Sequence, residues 1–173
     1  MNDFNHKING FTLIEIMVVM VLIGVILTFA TLSIGDGGLE RKLEQEAQRL
    51  ASLLTLASQE SIMQSKEMGV FFDRQGYYFY VLGEQQWHAL TDPDDIFRPR
   101  ILPPEIQTEI RLEGEPIRLN EATTNAPQVL LLSSGEVTPF DILFTAETDE
   151  TLRYRLTATA LGKISVQRED EYY

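Results

Sequence analysis

The sequence predicts an α+β chain, with a long N-terminal helix, apolar in its first half and amphipathic in its second, packed on an antiparallel two-sheet β domain. Three observations predict it. Residues 11–34 form a run of 24 with a single charged side chain, Glu15. Leu39, Leu43, Ala47, Leu50, Leu54 and Ala57 recur at spacings of three and four, the period of a helix with one buried face. From Val70 onward, short runs of apolar and β-branched residues are separated by turn residues, as in antiparallel strands. The chain has 173 residues, 44% of them apolar, and 14 Lys and Arg against 26 Asp and Glu, a formal charge of −12. That composition supports one compact core and excludes a disordered or collagen-like chain.

Residues 1–10 read as a short leader. A secretory signal has an apolar stretch of roughly 7 to 15 residues followed by a cleavage site. Here the apolar run is longer and passes through Thr28-Phe29-Ala30-Thr31 without a cleavage signature. As a helix, residues 11–34 extend roughly 36 Å, enough for a hydrocarbon core of roughly 30 Å, so a membrane span is expected. Glu15 is costly in that setting unless it finds a partner, although a carboxylate near the end of a span can also reach the headgroups. A cut between Gly10 and Phe11 would put a new α-amino group four residues before Glu15, one turn away on the same face. Amine and carboxylate can then neutralise each other, within one chain or between neighbours.

Lys7-Ile8-Asn9-Gly10 followed by Phe11-Thr12-Leu13-Ile14-Glu15 resembles the class III signal of type IV pilins and type II secretion pseudopilins. The resemblance implies cleavage after Gly10 by a prepilin peptidase, methylation of the new amino terminus at Phe11, and pairing of Glu15 with a neighbour's amino terminus in a helical filament. It also implies a pilin-like fold, a single pass through the bacterial inner membrane, and a C-terminal domain in the periplasm. Two features depart from the family pattern. Residues 11–34 lack the mid-helix proline common in major pilins, which points to a minor subunit. The leader's Lys7 and His6 are opposed by Asp3, so the resemblance rather than the charge bias sets the orientation.

Residues 35–68 comprise a glycine break and the amphipathic helix. Gly35-Asp36-Gly37-Gly38 disfavours continuous helix by about 1 kcal/mol per glycine, and the helix is expected to end near Met68-Gly69. Residues 69–173 form the β domain. Val70 to Phe72, a turn at Asp73-Arg74-Gln75-Gly76, and Tyr77 to Leu82 read as a hairpin. Between Ile101 and Leu119, Ile106, Thr108, Ile110 and Leu112 alternate with polar neighbours as in a half-buried strand. Further strands are expected at Val129 to Leu132, Val137 to Phe144, Leu152 to Ala158 and Lys163 to Val166.

Ser133-Ser134-Gly135-Glu136-Val137-Thr138-Pro139-Phe140, the following Ile142-Leu143-Phe144, and Leu161-Gly162-Lys163-Ile164 resemble the C-terminal part of the H-type pseudopilins, the GspH family. With the amino-terminal signal, this implies a minor pseudopilin of the type II secretion system. Such a subunit is non-enzymatic, helps form the tip of the periplasmic pseudopilus, and helps drive folded exoproteins across the outer membrane. The implied partners are the major pseudopilin, the J-type minor pseudopilin first and with it the I- and K-type tip complex, and the prepilin peptidase. Gly135 and Gly162 are expected as turn residues with positive φ. The alternative is a minor pilin of a type IV pilus, including the FimT-like DNA receptors. The acidic end Arg168-Glu169-Asp170-Glu171-Tyr172-Tyr173 argues against DNA uptake, which needs cations to meet phosphates.

No catalytic residue, cofactor or metal site is expected. Without cysteine there is no thiolate chemistry and no disulfide framework. His6 and His88 have no triad or metal-ligand spacing, and His88 beside Trp87 reads as a surface or edge-strand residue. Ser133-Ser134-Gly135 is not the nucleophile elbow of hydrolases, and no glycine-rich phosphate loop precedes a helix. Beyond Ile34 the balance is 13 Lys and Arg against 24 Asp and Glu, or −11, which gives nucleic acid nothing general to bind. Asp92-Pro93-Asp94-Asp95 offers oxygen ligands for calcium but lacks the acidic spacing of an EF-hand, so a solvated turn is the expectation. The loop Asp92 to Pro104, with Ile96 and Phe97 expected to be exposed, is a candidate contact for another pseudopilin.

Overall fold

The computed structural model describes residues 12–32, 37–119 and 126–169. The chain divides into two compact units, Met1–Gly38 and Leu39–Tyr173. The expected break at Gly35-Asp36 lies outside the described residues, while Gly37 and Gly38 open the second helix.

The first unit holds helix α1, Leu13–Leu32. Thr12 starts it: the Glu15 backbone N–H donates to the Thr12 carbonyl at 3.1 Å and to its hydroxyl oxygen at 3.3 Å, which satisfies one of the free donors of a helix start. Within the unit, Leu13, Ile14, Met17, Met20, Val21 and Ile26 all stand exposed. The helix is apolar all round, so it has no polar face to turn to water. Among the described residues no helix is long and apolar enough to cross a membrane, the described side chains of α1 ending at Thr28.

The second unit begins with helix α2, Gly37–Gln64. Leu43, Ala47, Leu50, Leu54 and Ala57 are buried, Leu39 is half-buried, and Glu40, Arg41, Glu44 and Arg49 lie off that stripe. Each buried leucine contributes about 2 kcal/mol by leaving water. The helix stops four residues short of the expected Met68. Ser65 takes a left-handed φ of 52° and the Lys66 N–H donates to the Ser61 carbonyl at 3.1 Å, a helix end that turns the chain into the sheet.

Ten strands follow: β1 Met68–Phe72, β2 Gly76–Gly83, β3 Gln86–Ala89, β4 Arg100–Ile101, β5 Ile106–Leu112, β6 Glu115–Pro116, β7 Val129–Leu131, β8 Phe140–Ala146, β9 Arg153–Ala158 and β10 Ile164–Arg168. They build two antiparallel sheets, one ordered β3-β2-β1-β7 with β4 also on β2, the other β10-β9-β8-β5-β6. The strand expected from the alternation of Ile106, Thr108, Ile110 and Leu112 is β5, while Pro103 and Pro104 interrupt the chain between β4 in one sheet and β5 in the other. Val137 only bridges Leu131; β8 starts after Pro139. Strand β3 was not expected, since its turn uses Glu84 and Gln85, both at positive φ (47° and 74°), instead of the Asn-Gly or Asp-Gly that marks such a hairpin.

The core lies where α2 and the inward faces of both sheets meet. Along β8, Phe140, Ile142, Phe144 and Ala146 are buried and the residues between them half-buried. Phe72 joins the sheets, its ring centroid 6.2 Å from that of Phe140 and 6.2 Å from that of Tyr77. Tyr77 is 1% exposed and its hydroxyl has no hydrogen-bond partner among the described residues. Burial first, and the Glu46 carboxylate second, push its pKa from 10.0 up to about 12. The folded value exceeds the unfolded one, so the associated stability is intact below about pH 10 and is lost as the pH rises through about 12, amounting to roughly 2–3 kcal/mol. Tyr77→Phe is therefore expected to be about 1 kcal/mol more stable at pH 7, the partnerless hydroxyl being gone, and to lose less stability between pH 9 and 11. Urea unfolding of both proteins at pH 7, 9 and 11 checks this.

Candidate functional site

Gly10 and Phe11 lie outside the described residues. Glu15 occupies the first turn of α1, the third helical position after Thr12. Thr12 is a residue that sequence reasoning missed. Its signal was the spacing Thr12-Leu13-Ile14-Glu15, a capping-box pattern that opens a helix.

The two C-terminal glycines, 27 positions apart in sequence, meet in space. Gly135 has φ +90° and Gly162 φ +76°, values that side-chain-bearing residues resist. A Cβ on Gly162 would stand 2.9 Å from the Gly135 carbonyl oxygen, so the turns touch through backbone. Each closes on itself: Gly135 N–H donates to the Leu132 carbonyl and Gly162 N–H to the Thr159 carbonyl, both at 2.9 Å. The Val137 N–H donates to the Ala160 carbonyl at 3.2 Å and links them.

Glu67, just before β1, holds this corner to the end of α2. Its two carboxylate oxygens accept the backbone N–H and the hydroxyl of Ser133, each at 2.8 Å. The buried Ser61 hydroxyl on α2 donates to the Leu132 carbonyl at 3.3 Å. Nothing in the local sequence marks Glu67, because its partner is 66 residues away.

In the loop Asp92 to Pro104 the carboxylates serve the backbone. Asp92 accepts from the Asp94 N–H at 3.0 Å and Asp95 from the Phe97 N–H at 2.9 Å, the side-chain turns typical of Asp. Among the described residues no three His, Asp or Glu side chains converge as metal ligands. One expectation for the loop is corrected. Phe97 is buried, its ring 5.2 Å from that of Phe79, because the Asp95 turn folds it back onto β2. Ile96 alone of the pair is exposed. His88 is exposed on β3, the edge strand of its sheet.

Most of this corner, built by the Ser133–Phe140 and Leu161–Ile164 segments, falls within the stretch that a known family shares. The sequence profile of the type II transport protein GspH matches residues 46–162. The chain belongs to the GspH family. The prokaryotic N-terminal methylation motif matches residues 5–31, and with the family membership it makes this GspH-type minor pseudopilin an inner-membrane-anchored subunit. The chain is similar to the type II secretion system protein H of Pseudomonas aeruginosa, 37% identical over 76% of this chain and 79% of that protein. It is also similar to that of Aeromonas hydrophila, 31% identical over 96% and 97%. Among solved structures, the minor pseudopilin EpsH from the type 2 secretion system of Vibrio cholerae superposes with a TM-score of 0.60 at 25% identity, covering 73% of this chain and 97% of that one. The solution structure of Escherichia coli GspH shares the fold, with a TM-score of 0.61 at 17% identity, covering 78% and 94%. The type IV pilus alternative is not favoured by this membership.

Proposed function

We propose that this GspH-family chain acts by assembly rather than catalysis, as a single-pass inner-membrane subunit that enters the periplasmic pseudopilus near its tip. The observation that carries the reading is the position of Glu15 in the first turn of an all-round apolar helix. A bare carboxylate there calls for a cationic partner. In this reading the peptidase cuts after Gly10, Phe11 becomes the methylated terminus, and residues 11–34 cross the membrane before packing among neighbouring helices in the filament. Glu15 then pairs with a neighbour's terminal amine, residues 69–173 remain in the periplasm, and filament growth pushes exoproteins outward. The J-type minor pseudopilin is the first partner in this scheme, beneath a tip that also holds the I- and K-type subunits, above the major pseudopilin.

Exposed Ile96, in the loop Asp92 to Pro104, is the proposed point of contact. A pull-down of the soluble unit beginning at Leu39 against the soluble domains of the organism's other pseudopilins and pilins, with double-stranded DNA as a separate bait, tests the reading. Capture of the J-type domain, weakened about fivefold by Ile96→Ala for the lost apolar contact, is the expected result. Capture of pilins or DNA in its place would transfer the protein to pilus or uptake machinery.

A further inference from the structure

Strand β10 is an open sheet edge. Of the outermost strands among the described residues it is the longest, with five residues against four in β3, three in β7 and two each in β4 and β6. Short, charged or proline-bearing edges resist the addition of a further strand, and Ile164-Ser165-Val166-Gln167 carries neither charge nor proline. The Thr159 N–H donates to the Lys163 carbonyl at 3.0 Å and the Glu169 N–H to the Arg153 carbonyl at 2.9 Å, so the odd-numbered residues of β10 bond to β9. By the alternation of antiparallel pairing, Ile164 and Val166 hold their N–H and C=O groups out to the other side, where no described strand lies. Two consecutive ladder positions are therefore open.

This edge borders a groove of about 480 Å³ whose other wall is α2. Gln48, Ser52, Thr55 and Gln59 stand exposed along that wall at spacings of four, three and four, which makes them one row of the helix. The row is roughly 16 Å long and β10 roughly 17 Å, so both walls suit a strand of about five residues. The Ser52 and Thr55 hydroxyls donate to carbonyls one turn back, both at 2.8 Å, which leaves their oxygens as acceptors. No residue lining the groove is Asp, Glu, Lys or Arg, on a chain of charge −12 in which 23% of residues are charged. Beyond the groove, Arg168 at the end of β10 pairs with Glu40 near the start of α2.

A charged segment entering such a groove loses hydration and gains no counter-ion. An uncharged extended segment instead pairs its backbone with Ile164 and Val166, and its alternate side chains, about 6.7 Å apart, lie against the row on α2. We propose that β10 takes up an extended, uncharged segment of a partner protein, rich in Val and Thr, as a sixth strand of its sheet. Ile164 and Val166 pack their side chains against the core, so an added side chain on that face stands between an apolar neighbour and the hydroxyls and amides of α2. Val and Thr suit both neighbours and favour the extended backbone, and pairing along an open edge supplies the affinity. The proposal goes beyond the pseudopilin reading, which gives β10 no role.

The test is fluorescence polarisation of a labelled peptide, acetyl-Thr-Val-Thr-Val-Thr-amide, titrated with the full chain in detergent micelles, with protein-free micelles as the blank. Binding is expected, unchanged between about 0.05 and 0.5 M salt, and weakened about tenfold when alternate peptide nitrogens are methylated or when both valines are replaced by glutamate. Val166→Pro removes an outward N–H and leaves the β9 ladder intact, and Ser52→Glu puts a charge into the exposed row on α2; each is expected to weaken binding about tenfold. Ser52→Glu, at an exposed helix position, should keep the wild-type circular dichroism spectrum and carries the test should Val166→Pro lose it. No binding above the blank, or unchanged affinity in Ser52→Glu or for the methylated peptide, overturns the proposal. So does a homodimer of the full chain in analytical ultracentrifugation that Ser52→Glu dissolves, because a second copy would then be the occupant.

Discussion

Glu15→Val is expected to be processed normally and yet fail to assemble. On the proposed reading the peptidase acts at the junction of Gly10 and Phe11, which the substitution leaves intact. What disappears is the carboxylate in the first turn of α1, and with it, on the proposed reading, the partner of a neighbour's terminal amine. In a lipid-like interior, removing one member of an ion pair leaves the other charge unpaired, at a cost of about 3 kcal/mol or more, which lowers incorporation roughly a hundredfold. Mature mass by mass spectrometry and the amount of this subunit in sheared pseudopili separate the two steps. Gly10→Val is the complementary variant: a β-branched residue at the cut should leave the full-length precursor in the membrane. Wild-type levels of Glu15→Val in the filament would remove charge pairing from the mechanism.

The second large effect belongs to the fold. Gly76→Ala places a Cβ 1.8 Å from the Arg100 carbonyl oxygen and 2.9 Å from its carbonyl carbon. Both are backbone atoms of β4, which pairs here with Gly76 and Tyr77, so no side-chain rotation relieves the clash. Either β4 separates from β2 or the turn after β1 distorts. In the first case the loop that carries Phe97 against Phe79 loosens as well. The cost is about 3 kcal/mol or more, a fall of roughly 10 °C in Tm, readable by differential scanning calorimetry. Gly38→Ala is the matched control. A Cβ there meets nothing within 4 Å, and its place in α2 should make alanine slightly stabilising, by about 0.5 kcal/mol.

What the sequence disclosed and what it concealed divide along a physical line. The stripe from Leu39 to Ala57 and the alternation along Ile106–Leu112 are local periodicities imposed by one buried face, and both elements occur where those patterns stand. The hairpin of β1 and β2 was legible from Asp73-Arg74-Gln75-Gly76, whose Asp73 carboxylate accepts the N–H groups of Gln75 and Gly76, both at 2.7 Å. Features set by distant partners were not legible. Phe97 reads as an exposed loop residue until Phe79 is seen beside it, and Glu67 gains its role only from Ser133. Gln128 is a similar case: its side-chain amide accepts the Phe72 N–H at 2.6 Å and donates to the Phe72 carbonyl at 2.9 Å, standing in for a strand residue. The motif at Glu15 was legible because its residue types stand at fixed spacing, and the N-terminal methylation motif matches there.

The way β1 follows α2 has a mechanical consequence. Only Ser65, Lys66 and Glu67 separate the end of the helix from a strand clasped on both sides, by β2 along Met68–Phe72 and by β7 along Met68–Val70. Tension or thrust delivered through α2 therefore loads β1 along its own axis, and the ladder bonds on both flanks bear the load together in shear instead of parting one after another. The Glu67 carboxylate, gripping Ser133 at the point where that load enters, acts as a fastener at the head of the joint.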